Sequence, residues 1–171
     1  DYRRANLAQI PDSHMGAYLT NDTMATEQLA ELADFLSTRI PGPDVTAEQL
    51  RNRSWWTGSE VYVLVDDYDL VATSRSNPLR ALVPLLAQAG DLGLHVIVTR
   101  RTGGASRAMY DPVLQSFQDL GMPGILLSGD PNEGQLIGRV KPVRAVPGRA
   151  QIVTRDEGLF VAQLATLAIK E

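Results

Sequence analysis

Apolar residues recur along this chain in two rhythms. In the stretch from residue 21 to 43, Leu29, Leu32, Ala33, Leu36 and Ile40 fall three or four apart, the spacing of one helix face. A residue among Asn21 to Thr26 supplies the N-cap, and Pro41-Gly42-Pro43 supplies the stop. Thr46 and Gln49 have capping-box spacing and predict a short helix running towards Leu50. Between Asn77 and Gly93 a second amphipathic helix is expected, with Asn77 as cap and Pro78 at its first position. Leu79, Leu82, Val83 and Leu86 form its apolar face, and Gly90 or Gly93 ends it. Pro84 lies early enough in this helix to predict a bend and not a break. A looser helix is expected from about Arg107 to Leu120.

The other rhythm is continuous. In EVYVLVDDYDLV (60–71), five of the six residues from Val61 to Asp66 are apolar, on both faces of an extended chain. That pattern predicts a strand covered on both sides, as in a parallel sheet. LHVIVT (94–99) and GILLS (124–128) repeat it, and GRAQIVTRDEGLFVAQL predicts a hairpin turning at Asp156-Glu157-Gly158. Strands alternating with helices give an α/β fold with a parallel sheet, whose ligand sites gather at the carboxyl ends of the strands. Asp66-Asp67 and Thr99-Arg100-Arg101 lie at such ends.

Composition narrows the classes. The chain has 171 residues, 44% hydrophobic and 21% charged, which suits one globular domain. Its formal charge, 16 − 20 = −4, argues against a predominantly basic nucleic-acid-binding module. Cysteine is absent, so disulfides and thiolate metal sites are excluded. No apolar run approaches the ~20 residues that span a bilayer.

Asp66 and Asp67 follow a fully apolar strand in the form of a Walker B element. There one carboxylate serves Mg2+, largely through water, and a second acidic group orients the attacking water. A polar loop start is the alternative reading. An EF-hand containing Asp67 and Asp69 fails, because Ala72 replaces the turn glycine and Pro78 the bidentate Glu. Thr99 could place a hydroxyl near a phosphate, with Arg100 beside it, or the segment is a surface loop. His95 has no second His at metal spacing and reads as a hydrogen-bonded strand residue. Gly129 and Asp130, in SGDPNEGQL, belong either to a backbone phosphate cradle or to a plain turn. Of Trp55-Trp56, one is expected to be buried and one available to a partner. No G-x-x-x-x-G-K-[ST] occurs, so the phosphate-cradling P-loop half of a nucleotide site is not in this sequence.

Four runs taken together, EVYVLVDDYDLV, LVPLLAQAGDLGLHVIVTRR, ILLSGDPNEGQLIG and PGRAQIVTR, resemble FtsK/SpoIIIE-type ATPase domains. With GPDVTAEQLRNRSWW before them, they look most similar to the C-terminal ATPase domain of EccC, the multi-domain motor of mycobacterial ESX (type VII) secretion. The resemblance covers nearly all of the chain. It implies a RecA-like P-loop NTPase fold, and a single partial domain over 1–171 beginning after the Walker A region. Such a piece of a longer polypeptide is expected to leave strand edges unpaired.

The resemblance carries over residue by residue. Asp66 matches the Mg2+-associated carboxylate, Asp67 the position of the catalytic Glu in DNA motors, and Thr99 the sensor residue. Arg100, Gly129 and Asp130 join Asp66 and Thr99 as nucleotide-contacting candidates. Asp for Glu at 67 and Arg for the usual Gln at 100 imply slow turnover, since misplacing a water-orienting group costs ~100-fold. The implied cofactors are ATP and Mg2+. The implied partners are other ATPase domains of the motor, ESX membrane-complex subunits and WXG100 (EsxB-like) substrates, with no nucleic acid. The implied setting is the cytoplasmic face of the membrane, in an oligomer. Two alternatives stand beside a motor domain: a degenerate regulatory or substrate-binding domain, and an FtsK-like DNA translocase.

Overall fold

The computed structural model describes residues 1–165, and these divide into two compact units, residues 1–100 and 101 onward. The first unit opens with irregular turns and then α1 (Asp22–Ser37), capped by Asn21, whose side chain accepts from the Met24 amide. The helix stops at Ser37, before the Pro-Gly-Pro run. There Ser37 and Thr38 turn their hydroxyls back onto the Ala33 and Phe35 carbonyls, which offers the backbone an alternative to another helical turn. Next come α2 (Ala47–Asn52), closed by the expected Thr46–Gln49 capping box, and β1 (Val61–Val65). α3 (Tyr68–Val71), a 3-10 helix (Pro78–Gln88), α4 (Ala89–Leu92) and β2 (Leu94–Val98) complete the unit.

β1 and β2 pair in parallel, Val61 opposite Leu94 through Val65 opposite Val98. One face of this pair packs into the core. Val61, Val63 and Val96 lie against Leu36, Leu85, Leu92 and Leu94, from α1, the 3-10 helix, α4 and β2. The two-sided burial expected of β1 is not seen among the described residues. Tyr62, Leu64 and Ile97, on the opposite face, are each more than half exposed.

Asn77 caps the segment that follows α3, accepting from the Leu79 amide, and Pro78 is at its first position, as expected. The segment runs as 3-10 helix through Pro84, because proline cannot donate the bond that an α-helix would require there. A three-residue turn aligns Leu79, Leu82 and Leu85 on the buried side and leaves Val83 half-buried. Leu85 was therefore missed by a helix read at 3.6 residues per turn.

Gly93 ends α4 in the left-handed conformation (φ 67°), and a Cβ built there would lie 2.6 Å from the Trp56 ring. Gly93→Ala thus meets both a left-handed penalty of ~1 kcal/mol and an overpacking cost of about 1–3 kcal/mol. A loss of about 2–4 kcal/mol is expected in urea unfolding followed by Trp fluorescence. A loss below about 1 kcal/mol would mean that the ring moves aside freely.

In the second unit the expected helix over 107–120 is two: α5 (Ala105–Ala108) and α6 (Pro112–Asp119). Asp111 breaks it by capping α6, its carboxylate accepting from the Val113 and Leu114 amides, with Pro112 at the first position. β3 (Gly124–Leu126), β4 (Arg149–Thr154) and β5 (Gly158–Gln163) form an antiparallel sheet in the order β3-β4-β5. The predicted hairpin is thus β4–β5, turning before Gly158. GILLS, expected to extend the parallel alternation, instead takes Val153 to Gln151 of β4 as its antiparallel partners. Ala105, Leu126 and Leu136 form one buried cluster of this unit, and Val113, Leu114 and Ala150 are buried as well.

Candidate functional site

The parallel register fixes the first contact of the site. With Val65 opposite Val98, the next residues, Asp66 and Thr99, emerge side by side at the carboxyl end of the pair. Two backbone bonds hold this end together: Thr99 N to Val65 O and Tyr68 N to Thr99 O, each 2.8 Å. The Thr99 hydroxyl donates to Asp66 Oδ1 at 2.6 Å and accepts from the Asp67 amide at 3.3 Å. Asp67 itself turns the chain in the left-handed region (φ 52°, ψ 60°), which Asp tolerates better than most side chains. That turn lets Tyr68, 2% exposed, enter the core and anchor α3, where its hydroxyl accepts from Asn77 Nδ2 at 2.8 Å.

The three neighbouring carboxylates have different partners. Asp69 pairs with Arg100, Nη2 to Oδ1 at 2.8 Å. Asp67 pairs with Arg3, Nε to Oδ2 at 2.8 Å. Asp66 receives neutral donors: Thr99 on Oδ1 and the Asn6 amide, Nδ2 to Oδ2 at 2.9 Å. The Thr99 hydroxyl holds the Asp66 carboxyl below the ordinary aspartate range, with Asn6, the Asp67 backbone and the Asp1 ammonium adding to it and partial burial opposing. A depressed folded-state pKa makes the ionised form a stabilising contribution above the unfolded pKa, lost as pH falls through the folded one. Asp66 is thus a full anion near neutrality.

These positions settle what each residue named from the sequence touches. Asp66, Asp67 and Thr99 are brought together, with Arg100 one residue on, tied to Asp69. Gly129 and Asp130 belong to the second unit, and their contacts are those of a turn. The Gly129 amide donates to Val143 O at 3.0 Å, and Asp130 accepts from the Asn132 amide at 2.9 Å. A Cβ on Gly129 would sit 2.9 Å from Pro142 and 3.0 Å from Thr102, so packing alone accounts for that glycine. His95 hydrogen-bonds Glu60 at 3.1 Å and stacks on Tyr62, as a strand residue should. Neither tryptophan is free for a partner at its indole N–H. Both are half-buried, and Trp55 and Trp56 donate at 2.7 Å to the Arg39 and Asp91 carbonyls.

Arg3 and Asn6 were not singled out from the sequence. They reach the site from 60 or more residues away, and no local pattern marks them. Among the described residues no group of three or more His, Cys, Asp or Glu is arranged to hold a metal ion. A cation beside Asp66 would therefore keep most of its shell as water and phosphate oxygens, which fits Mg2+ and not a caged metal.

The parallel pair with its acidic carboxyl end and the antiparallel sheet of the second unit make this a mixed α/β chain of the kind the sequence resemblance implies. No protein-family model matches the chain. It is 49% identical over 154 residues to the ESX-4 secretion system protein EccC4 of Mycobacterium tuberculosis, covering 90% of this chain and 12% of that protein. The solved cytoplasmic domain of the type VII secretion ATPase EccC of Thermomonospora curvata superposes with a TM-score of 0.92 at 43% identity, over 99% of this chain and 20% of that one. A second structure, T. curvata EccC (ATPases 2 and 3) in complex with a signal sequence peptide, gives the same TM-score and identity over 30% of its chain. The chain belongs to the EccC ATPase domains of ESX secretion systems. It spans only about an eighth of the curated relative's length.

Proposed function

We propose that this chain is a C-terminal, FtsK/SpoIIIE-type part of the ATPase motor of an ESX (type VII) secretion system. In this reading Asp66 serves Mg2+-bound ATP whose phosphates are cradled by a P-loop outside this sequence. The observation that carries it is the division among the carboxylates: two face arginines, and Asp66 keeps its charge under neutral donors. Asp66 would hold Mg2+ largely through water, oriented by Thr99 and Asn6, and the metal would supply charge neutralisation at the phosphates. Thr99, between Asp66 and the Asp67 amide, keeps the two acidic positions in one geometry.

In the same reading the domain works with other ATPase domains and ESX membrane-complex subunits at the cytoplasmic face of the membrane. No helix among the described residues is long and apolar enough to cross it. It recruits WXG100-type substrates, or regulates their export; the signal-peptide complex of the T. curvata relative supports this role. The Arg3–Asp67 ion pair favours a second reading, a domain that binds nucleotide and barely turns it over.

The test is ATP binding to the polypeptide that carries this chain, measured with and without EDTA, in wild type and Asp66→Ala. Mg2+-dependent affinity that Asp66→Ala removes supports the proposal. Affinity indifferent to both EDTA and Asp66 sinks it.

A further inference from the structure

We infer that Arg3 is a built-in restraint on the second carboxylate of this centre, pairing with Asp67 and withholding it from a cation or a reacting water. This rests on the nucleotide-site reading and adds to it a positioning residue and a reason for slow turnover.

The geometry is built for that contact. The Asp1 carboxylate accepts from the Arg3 amide (Oδ1, 3.0 Å) and the Asn6 amide (Oδ2, 2.8 Å), folding residues 1–6 into a closed turn. Tyr18 donates its hydroxyl to the same Oδ2 at 2.8 Å, fastening the turn to a later part of the unit. Arg4 and Ala8 take positive φ (59° and 64°), a conformation seldom adopted by such side chains. Two side chains leave this turn toward the site. Asn6 meets Asp66 and Arg3 meets Asp67.

The two contacts differ in chemistry. A neutral amide orients a carboxylate and leaves its charge and remaining lone pairs available. A guanidinium neutralises its partner and competes directly for the oxygen that would accept a proton or a metal-bound water. At 23% side-chain exposure Asp67 is screened enough from solvent for the pair to persist, while Arg3, at 47%, is open enough to be displaced. The two acidic residues, alike in sequence, are thereby made unequal by one upstream turn.

The experiment uses the polypeptide that carries this chain, with Mn2+ alone as probe, read by electron paramagnetic resonance. The part of the signal lost in Asp66→Ala is assigned to this site. Arg3→Gln frees Asp67 and is expected to tighten Asp66-dependent Mn2+ binding about fivefold, and Arg3→Lys, which keeps the charge, to stay near wild type. In Arg3→Gln/Asp67→Asn the gain disappears. ATP turnover assigned to the same site should rise several-fold in Arg3→Gln. A purely structural Arg3 would lower the melting temperature without tightening Mn2+.

Unchanged Mn2+ affinity in Arg3→Gln, or a gain that survives Asp67→Asn, overturns the restraint. A fall in turnover to the level of Asp66→Ala also overturns it, since Arg3 would then serve the phosphates. If wild type binds no Mn2+ through Asp66, the restraint predicts that Arg3→Gln reveals binding, and silence in both overturns it. The nucleotide-site reading is judged separately, by ATP binding with and without EDTA.

Discussion

Arg39→Ala is expected to lower stability by about 3 kcal/mol, as much as truncating a buried leucine of the first unit. Arg39 is 5% exposed and lies between two aromatic rings, 4.0 Å from the centroid of Trp56 and 4.9 Å from that of Phe35. Its Nη1 donates to Leu92 O at 2.8 Å and its Nη2 to Ser59 O at 2.9 Å. The guanidinium thus joins the end of α1 to the end of α4 and to the approach to β1. Hydrogen bonds from a charged donor contribute ~1.5–3 kcal/mol each, and a desolvated cation–π contact about 2 kcal/mol. Burying a cation without a carboxylate beside it offsets part of that gain, and this brings the net to about 3 kcal/mol.

The conservative change separates the causes. Lysine offers a point charge on a flexible stem, and it cannot reach both carbonyls in the planar fork that Arg39 uses. Arg39→Lys should therefore retain less than half of the stabilisation. Urea unfolding of the carrying polypeptide, followed by Trp55 and Trp56 fluorescence, reads both variants. A loss under about 1 kcal/mol for Arg39→Ala would show that the two carbonyls find other donors.

How far the sequence foretold the molecule depended on the range of each interaction. Asn21, Thr46, Asn77 and Gly93 act on amides or carbonyls within a few residues; local spacing picked out Thr46 and Asn77 and narrowed the other two to a cap among Asn21 to Thr26 and a stop at Gly90 or Gly93. The meeting of Asp66 with Thr99 was also legible, because a parallel pair aligns its strand ends and both residues directly follow apolar runs. What was not legible travels through space. Arg39 sits 53 residues from Leu92 and Asn6 60 from Asp66, and neither follows a periodicity. The partner of β3 failed for a related reason. A short apolar strand carries no mark of whether its neighbour runs with it or against it, and only the hairpin's register decides. The surplus of acids in VDDYD looked like one cluster in sequence, and two arginines, one upstream and one downstream in the chain, pair with two of its members.

Asp66→Asn should abolish the Mg2+-dependent part of ATP binding and reduce any turnover assigned to this site about 100-fold or more, with a modest loss of stability from the Asn6 contact. The substitution keeps the shape of the side chain and an oxygen that can accept from Thr99, so the strand ends remain joined through Thr99 N–Val65 O and Tyr68 N–Thr99 O. It removes the charge of the one acid among the three neighbours that is not ion-paired to an arginine. Thr99→Val provides the graded counterpart. Without the hydroxyl the Asp66 carboxyl loses the main cause of its depressed pKa and its fixed orientation, while its charge at neutral pH survives. Loss of such a supporting contact costs roughly 10–100-fold in metal affinity, so Thr99→Val should fall between wild type and Asp66→Asn. Titrating Mg2+ against a fluorescent ATP analogue orders the three proteins. An Asp66→Asn variant with wild-type Mg2+ dependence would remove Asp66 from the metal's surroundings and return VDDYD to an ordinary, ion-paired loop start.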